Sequence, residues 1–518
     1  MLDASTKSRI LNPEMAKQLM ITNLVSGKVL RLLLLVAIPA MLSCCLALGC
    51  SKSKTETDNQ ADQAAIEFVA PDPLKLLVVG DDQLGPRIKR QWAARQDGAI
   101  TVVDLSVSDL ISSDFRLPDD IDVLIYPPSM LGDLVARQQL LEVPRDVWSS
   151  DQVNKNELLK HFRTLVVRHD NKNWALPLGS PCFSMICNRN LFQSAELEPP
   201  LMWEEMDRCL EKLDGVLKLN TDSKLEPKVD LALAPGWAAH TFLARAAPEI
   251  ALRGRLSVVL DRRTMKPLIG LPPFVESLEQ LKSIASQRSL KLDPQELYRL
   301  AASGESSIAV TWPALGFAEE ANQDSAEASD EQELEENPIS MIVSLPGSDR
   351  WFDSRTKNWA KRSNDEQLQT DTIGYGGLIG SVSASSANDL TAWDFLSWLC
   401  SKKISLLTMT ESPEVGPFRA SHLGNVSRWT GESIPVDVAD QFADVVAASH
   451  DRPQAIIFPR IPGHQKYFDA LDEGVRKCVA GKLAAEEALE EVSKKWEEIT
   501  EQLGRKPQVH NLKQATGL

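Results

Sequence analysis

The sequence predicts an α/β protein built in more than one module, and three observations carry that reading. From residue 74 onward, apolar runs of strand length alternate with stretches of helical periodicity. Hydrophobic residues make up 43% of the chain and charged residues 25%, enough for a sizeable core and too apolar for a disordered protein. The length of 518 residues sets a prior of about three domains, or fewer large ones. A net charge of -16 argues against a nucleic-acid partner, whose phosphates need a basic surface.

The N-terminus sets the expected compartment. Lys28 and Arg31 precede an apolar run over residues 32–49, broken by Pro39 and ending in Ala47-Leu48-Gly49-Cys50. That pattern is a secretion signal over residues 1–50 with a lipobox-type cleavage site, which makes Cys50 the lipidated first residue. Cys44 or Cys45 could be modified instead, an uncleaved anchor or ordinary cleavage are the alternatives, and Met20 is a second candidate start. Residues 51–72 read as a flexible tether, polar and free of aromatics over 51–65, so the domain is expected outside the cytoplasm and held at a membrane by lipid. Cys182, Cys187, Cys209, Cys400 and Cys478 form an odd set without metal-ligand spacing, so buried free thiols are expected.

Residues 74–79 form an apolar run suited to a strand covered on both faces, followed by Gly80-Asp81-Asp82 and a helical stretch to residue 96. Further strands are expected at 100–105 and 121–126, and a helix at 130–141. Ligands of such sheets sit beyond the carboxyl ends of the strands, which singles out Asp81, Asp82 and Gln83 after the first strand and Ser129 after the third. Either aspartate could instead cap the helix that follows.

Residues 174–213 hold the most informative local order. A small-residue loop from Pro177 to Pro181, with Gly179 and Ser180, leads into an apolar run at 182–187, an Asn188 turn, a Pro199-Pro200 break and a helix from Trp203. Trp237 follows in Ala234-Pro235-Gly236-Trp237, then a helix at 241–247, a strand at 256–260 and a helix entry at Pro272-Pro273-Phe274. Residues 318–337 form an acidic run that reads as a solvated surface insertion. The glycines of Gly374-Tyr375-Gly376-Gly377 suit close backbone approach or a bend and not a nucleotide loop. A helix covers 388–400. Two apolar helical stripes close the chain, one ended by Gly481 and one by Gly504, with Glu490/Lys494 and Glu491/Lys495 spaced as favourable ion pairs.

Several of these segments resemble the bacterial family 1 extracellular solute-binding proteins, the capture subunits of ABC importers. The resemblance is carried by Ala175-Leu176-Pro177-Leu178, by Asn188-Arg189-Asn190-Leu191-Phe192, by Pro199-Pro200-Leu201-Met202-Trp203-Glu204 and by the element from Gly304 to Trp312. Leu345-Pro346-Gly347, the glycines at 374–380, Pro417-Phe418-Arg419-Ala420-Ser421 and the C-terminal Trp496 helix extend it in family order, while Cys187 stands where the family usually has Tyr.

The resemblance implies a two-lobed periplasmic binding protein type II fold with discontinuous lobes and a hinge. Residues 73–180 would begin lobe 1, 181–374 would make lobe 2, 375–412 would return to lobe 1, and 413–518 would belong mostly to lobe 2. It also implies a monomer that captures a small solute for ABC permease subunits, without cofactor or catalysis. Trp312 would lie beside the cleft, where an indole can stack on the apolar face of a sugar ring, with Tyr375, Arg419 and, on its loop context alone, Trp237 as further candidates; the two tryptophans could instead be plain core and Arg419 a surface or structural residue. Carbohydrate is therefore the expected ligand, with peptide, polyol-phosphate or metal chelate as the alternatives. A tethered protein that presents its ligand to a sensor or structural partner is the alternative. The histidines show no metal-protease spacing and no G-x-S-x-G elbow occurs, so an enzyme is not expected.

Overall fold

The computed structural model describes residues 73–95, 99–219, 223–250, 258–313, 340–363, 365–412, 414–430 and 434–516. The expected signal, tether and acidic insertion, with Cys50, lie outside the described residues.

Strands β1 (Leu74–Val79), β2 (Ile100–Leu105) and β3 (Val123–Tyr126) pair in parallel around β1, with Leu74 opposite Ile100 and Leu76 opposite Val123. All four residues of β3 are buried, as a strand with helices on both faces requires. The chain leaves this sheet through β4 (Leu176–Gly179) and builds a second one from β5 (Ser184–Asn188), β6 (Val229–Leu231), β7 (Ile308–Thr311) and β8 (Ser340–Val343). In that sheet the order is β8-β5-β7-β6, with β5 antiparallel to both neighbours. Strand β9 (Leu378–Val382) then returns to the first sheet and inserts antiparallel between β3 and β4, which completes the order β2-β1-β3-β9-β4.

Short-range chemistry explains where the elements begin. Helix α1 (Leu84–Ala93) follows β1 after Asp81 Oδ1 accepts the backbone N–H groups of Gln83 and Leu84. Asn188 ends β5 and caps the next helix, α2 (Arg189–Ser194), by accepting the Leu191 N–H at 3.0 Å. On α1, Trp92 packs edge-on against Phe395 and Trp398 of α6 (Asp389–Cys400), with centroids 5.1 and 5.0 Å away. These rings close the outer face of the first sheet.

The second core forms around α3 (Ala238–Ile250), α4 (Pro272–Ile284), α8 (His464–Val479) and α9 (Ala485–Leu503). Trp496 is fully buried there and donates its indole N–H to the Tyr467 carbonyl. Helices α5 (Pro294–Ala302) and α7 (Val436–Asp451) cover the other face of the second sheet, and α10 (Arg505–Ala515) ends the described chain.

Three local expectations change. The helix expected at 130–141 is a 3-10 turn followed by Leu131–Ala136, because Gln138 adopts a left-handed φ of 57° and Leu140 bridges to Ser383. Of the strand expected at 256–260, the described part makes only an isolated bridge from Leu260 to Pro267. Lys495 pairs with Glu473 on α8 at 2.6 Å and not with Glu491, which reaches Lys477. The Glu490–Lys494 pair forms at 2.8 Å, and the five cysteines of the described residues are free thiols, all but Cys182 buried.

Candidate functional site

The site is built where the chain crosses between the sheets. The outgoing crossing runs from Gly179 to Phe183 and the return crossing from Gly374 to Gly377, and Ser180 Oγ joins them by donating to the Gly376 carbonyl at 2.8 Å. Only glycine fits this passage. Gly377 has φ 88°, and a Cβ there would lie 2.3 Å from the Gly179 carbonyl oxygen. A third segment, Ser412 to Gly416, is pressed against the same place, since a Cβ on Gly179 would meet the Gly416 carbonyl at 2.4 Å.

Beside the crossings, aromatic rings pack into a cluster. Trp312 leaves the end of β7 and packs 4.8 Å from Phe183 and, edge-on, 4.8 Å from Trp237. His240 lies one helical turn beyond Trp237 on α3, with centroids 4.8 Å from Tyr375 and 4.4 Å from Phe468. The entry of α3 is fixed from α8: the buried Asp472 carboxylate accepts the N–H groups of Gly236 and Ala239 at 3.0 and 3.1 Å. Burial raises the pKa of Asp472, and the backbone donors work against that rise.

Two polar atoms of this cluster have no partner among the described residues. Tyr375 Oη and His240 Nδ1 are both buried without a hydrogen bond. Burial pushes the His240 pKa down to about 3, so the imidazole is neutral near pH 7 and offers one donor and one acceptor. Burial likewise raises the Tyr375 pKa, which keeps the hydroxyl protonated. Leaving such groups unpaired costs roughly 1–3 kcal/mol each, a cost that a ligand hydroxyl can remove.

The residues singled out by sequence fall into three groups. Trp237, Trp312, Tyr375, Gly179 and Ser180 come together at the crossings. At the end of β1, Asp82 and Gln83 are exposed, whereas Asp81 is buried with Oδ1 on the α1 backbone and Oδ2 accepting from Ser412 Oγ at 2.6 Å. Its carboxylate is occupied as a cap and brace. Ser129 is half-buried after β3. Arg419 corrects the expectation: it is fully buried in the first core, where its guanidinium donates to the carbonyls of Cys400 and Val153.

The sequence reading passed over His240, Phe183, Phe468 and Glu414. His240 was findable from its spacing to Trp237, because residues three apart on a helix share a face. Phe468 lies in an apolar stripe with nothing to mark it. Glu414, half-buried beside the crossings, has its pKa raised to about 7 by burial and by the carboxylates of Asp81 and Asp293. Among the described residues, no group of three or more His, Cys, Asp or Glu could hold a metal ion.

No family model and no curated protein matches the sequence. Solved structures do match. Maltose-bound MalE3 of T. maritima aligns with a TM-score of 0.58 at 15% identity, over 82% of this chain and 100% of that one. An ABC transporter solute-binding protein from Agrobacterium radiobacter, in complex with ribitol, gives 0.59 at 18% identity over 83% and 99%. The sugar-binding protein MalE of Xanthomonas citri gives 0.58 at 13% identity over 83% and 98%. Together with the discontinuous first sheet and the paired crossings, these matches establish that the chain has the two-lobed α/β fold of the periplasmic binding proteins.

Proposed function

We propose that this protein captures a small polyhydroxylated solute, a carbohydrate or polyol, at the crossings between its lobes and delivers it to an ABC importer. One observation carries the reading: an aromatic cluster of Trp237 and Trp312 adjoins two buried polar atoms, Tyr375 Oη and His240 Nδ1, that have no partner among the described residues. Indole faces suit the C–H face of a pyranose or polyol, and each sugar hydroxyl can both donate and accept. The solved neighbours from T. maritima and Agrobacterium radiobacter, which hold maltose and ribitol, support the same class.

The glycine-lined crossings provide the hinge. A ligand shifts an open-closed equilibrium only by its differential affinity for the closed form, and the closed form is what permease subunits would recognise. In this reading the protein works as a monomer without a cofactor, outside the cytoplasm, anchored by a lipid on Cys50. No helix among the described residues is long and apolar enough to cross a membrane.

The test is thermal unfolding of the full-length chain against sugars, polyols, amino acids and metal chelates. A ligand at a hundred times its dissociation constant adds about 2.7 kcal/mol, enough to move the transition by a few degrees. A sugar or polyol is expected to give that shift. Tyr375→Phe, which removes the unpaired hydroxyl, is expected to stabilise the free protein by roughly 1–3 kcal/mol and to weaken the ligand by a similar amount. A panel without any shift, on a folded protein, would favour presentation of a different ligand to a sensor or structural partner.

A further inference from the structure

Helix α8 holds one loop of the aromatic cluster through three successive turns. Phe468, Asp472 and Arg476 recur at the i, i+4 spacing, so they share a face of the helix. Phe468 packs on His240, the Asp472 carboxylate accepts the N–H groups of Gly236 and Ala239, and Arg476 Nε donates to the Leu233 carbonyl at 3.1 Å. The N–H groups of Leu233 and Ala234 go to the Ser289 and Leu292 carbonyls. Beyond them Pro235 and Gly236 are exposed, and Gly236 has φ 89° with nothing within 4 Å of where a Cβ would sit, so side-chain packing does not fix the tip. Asp472 does, and the match suits both partners: free N–H groups at the start of α3 meet a negative charge, and a buried carboxylate gains donors.

The loop carries Trp237. Its ring is half-buried, whereas Phe183, His240, Trp312, Tyr375 and Phe468 are all buried. Among the described residues it is also the one partly buried apolar side chain that packs against both cores. Trp237 is therefore the ring of the cluster that a solute can reach, at the place where the lobes meet, with Trp312 braced edge-on against it. A ring already held in place binds more tightly than one the ligand must order.

We propose that Asp472 is a positioning residue for ligand capture: from α8 it fixes the loop that presents Trp237, and Trp237 is the stacking surface that meets the solute. The proposal rests on solute capture at the crossings and assigns the two tryptophans different parts in it.

Titration calorimetry of the full-length chain tests it, with maltose and ribitol as probes of a cyclic and a linear polyhydroxylated solute. Asp472→Ala is expected to weaken the binding probe by at least about tenfold, and by no more than about twofold when Trp237 is already alanine, because two changes that act through one ring do not add. Asp472→Asn keeps one acceptor oxygen and should lose about fourfold; it carries the same comparison if the alanine variant fails to fold. Val492→Ala, a truncation where α9 packs on Gly474 at another face of α8, should lower the thermal transition and leave affinity as it was. No loss of affinity in Asp472→Ala, or the same loss with and without Trp237, would overturn the proposal. A second readout needs no solute. The Trp237 N–H donates to the Ala234 carbonyl and not to Asp472, so its hydrogen exchange reports the loop and not the deleted bond. Followed by NMR on chain labelled at tryptophan, it should exchange at least about tenfold faster in Asp472→Ala, and an unchanged rate overturns the proposal whether or not a probe binds. Faster exchange in a chain that binds neither probe would support the clamp and count against solute capture instead.

Discussion

At the scale of single residues, what decides a role is whether a polar group has been claimed by its own protein. Asp81 and Arg419 have the right chemistry for ligand contacts, yet one is taken up by a helix N-terminus and Ser412, the other by backbone carbonyls. Tyr375 and His240 are left unclaimed. Glu414 is an unfavourable case of the same kind, because burial and the carboxylates of Asp81 and Asp293 lift its pKa to about 7. A carboxyl whose folded pKa stands above its unfolded value of about 4.5 binds its proton more tightly in the folded state. Its contribution to stability therefore worsens as pH rises from about 4.5 through 7, and the full penalty applies above that. Glu414→Gln should leave stability unchanged near pH 4.5 and raise it by about 1–3 kcal/mol at pH 8, allowing for partial exposure. Urea unfolding of both proteins at the two pH values checks this; an equal difference at both would refute it. Trp312 and Tyr375 were singled out by resemblance to elements of the solute-binding family and Trp237 by its place in a loop, and the fold brings the three together at the crossings. Glu414 was not legible in the sequence, since Asp293 and Asp81 lie 121 and 333 residues before it in the chain and come near it only through the fold.

At the scale of elements, the sequence was most legible where one local rule acts alone. Continuous apolar runs became buried strands, and the Pro272-Pro273 entry became the first turn of α4. Legibility failed where tertiary contacts or backbone turns intervened. The periodicity around residues 130–141 hid a left-handed Gln138, and Lys495 found Glu473 on the neighbouring helix in place of its own i-4 partner. The glycines separate the two kinds of constraint. Gly481, after α8, has φ 73° with nothing within 4 Å of where an alanine Cβ would sit, so Gly481→Ala costs only the left-handed backbone, about 1–2 kcal/mol. Gly377 has φ 88°, and there the Cβ would stand 2.3 Å from the Gly179 carbonyl, so the crossing strands must separate as well. Gly377→Ala should cost clearly more than Gly481→Ala in denaturant unfolding and should also weaken ligand binding, which Gly481→Ala should leave intact. Equal costs would mean that the crossings yield easily, and that the hinge is not held by close backbone approach.

At the scale of the molecule, the lobes are discontinuous in sequence and joined in their packing. That β9 would rejoin the first sheet was legible only from the order of motifs, because no local pattern says that residues near 378 pair with residues near 176. How the cores connect was not legible at all. On β5, Met185 and Cys187 face the second core, while Ile186, with Ala309 and Ile342 from the neighbouring strands, belongs to the core that also contains the first sheet. Helices α5 and α7 mediate that link: Leu297 and Tyr298 of α5 and Phe442 of α7 are in the same core. Helix α10 adds a further tie, with Leu512 in the second core and the Gln514 carbonyl accepting at 3.0 Å the N–H of Asp170, which lies in the turn between the antiparallel pair Arg168–His169 and Lys172–Asn173. A lobe that unfolded alone would have to expose one face of the second sheet and break these contacts, so the first lobe should not melt while the second stays folded. Scanning calorimetry is therefore expected to give one transition, with calorimetric and van't Hoff enthalpies in agreement, that moves as a whole when ligand is added. Two resolved peaks, only one of them shifted by ligand, would show that the shared core does not couple the lobes and that each folds on its own.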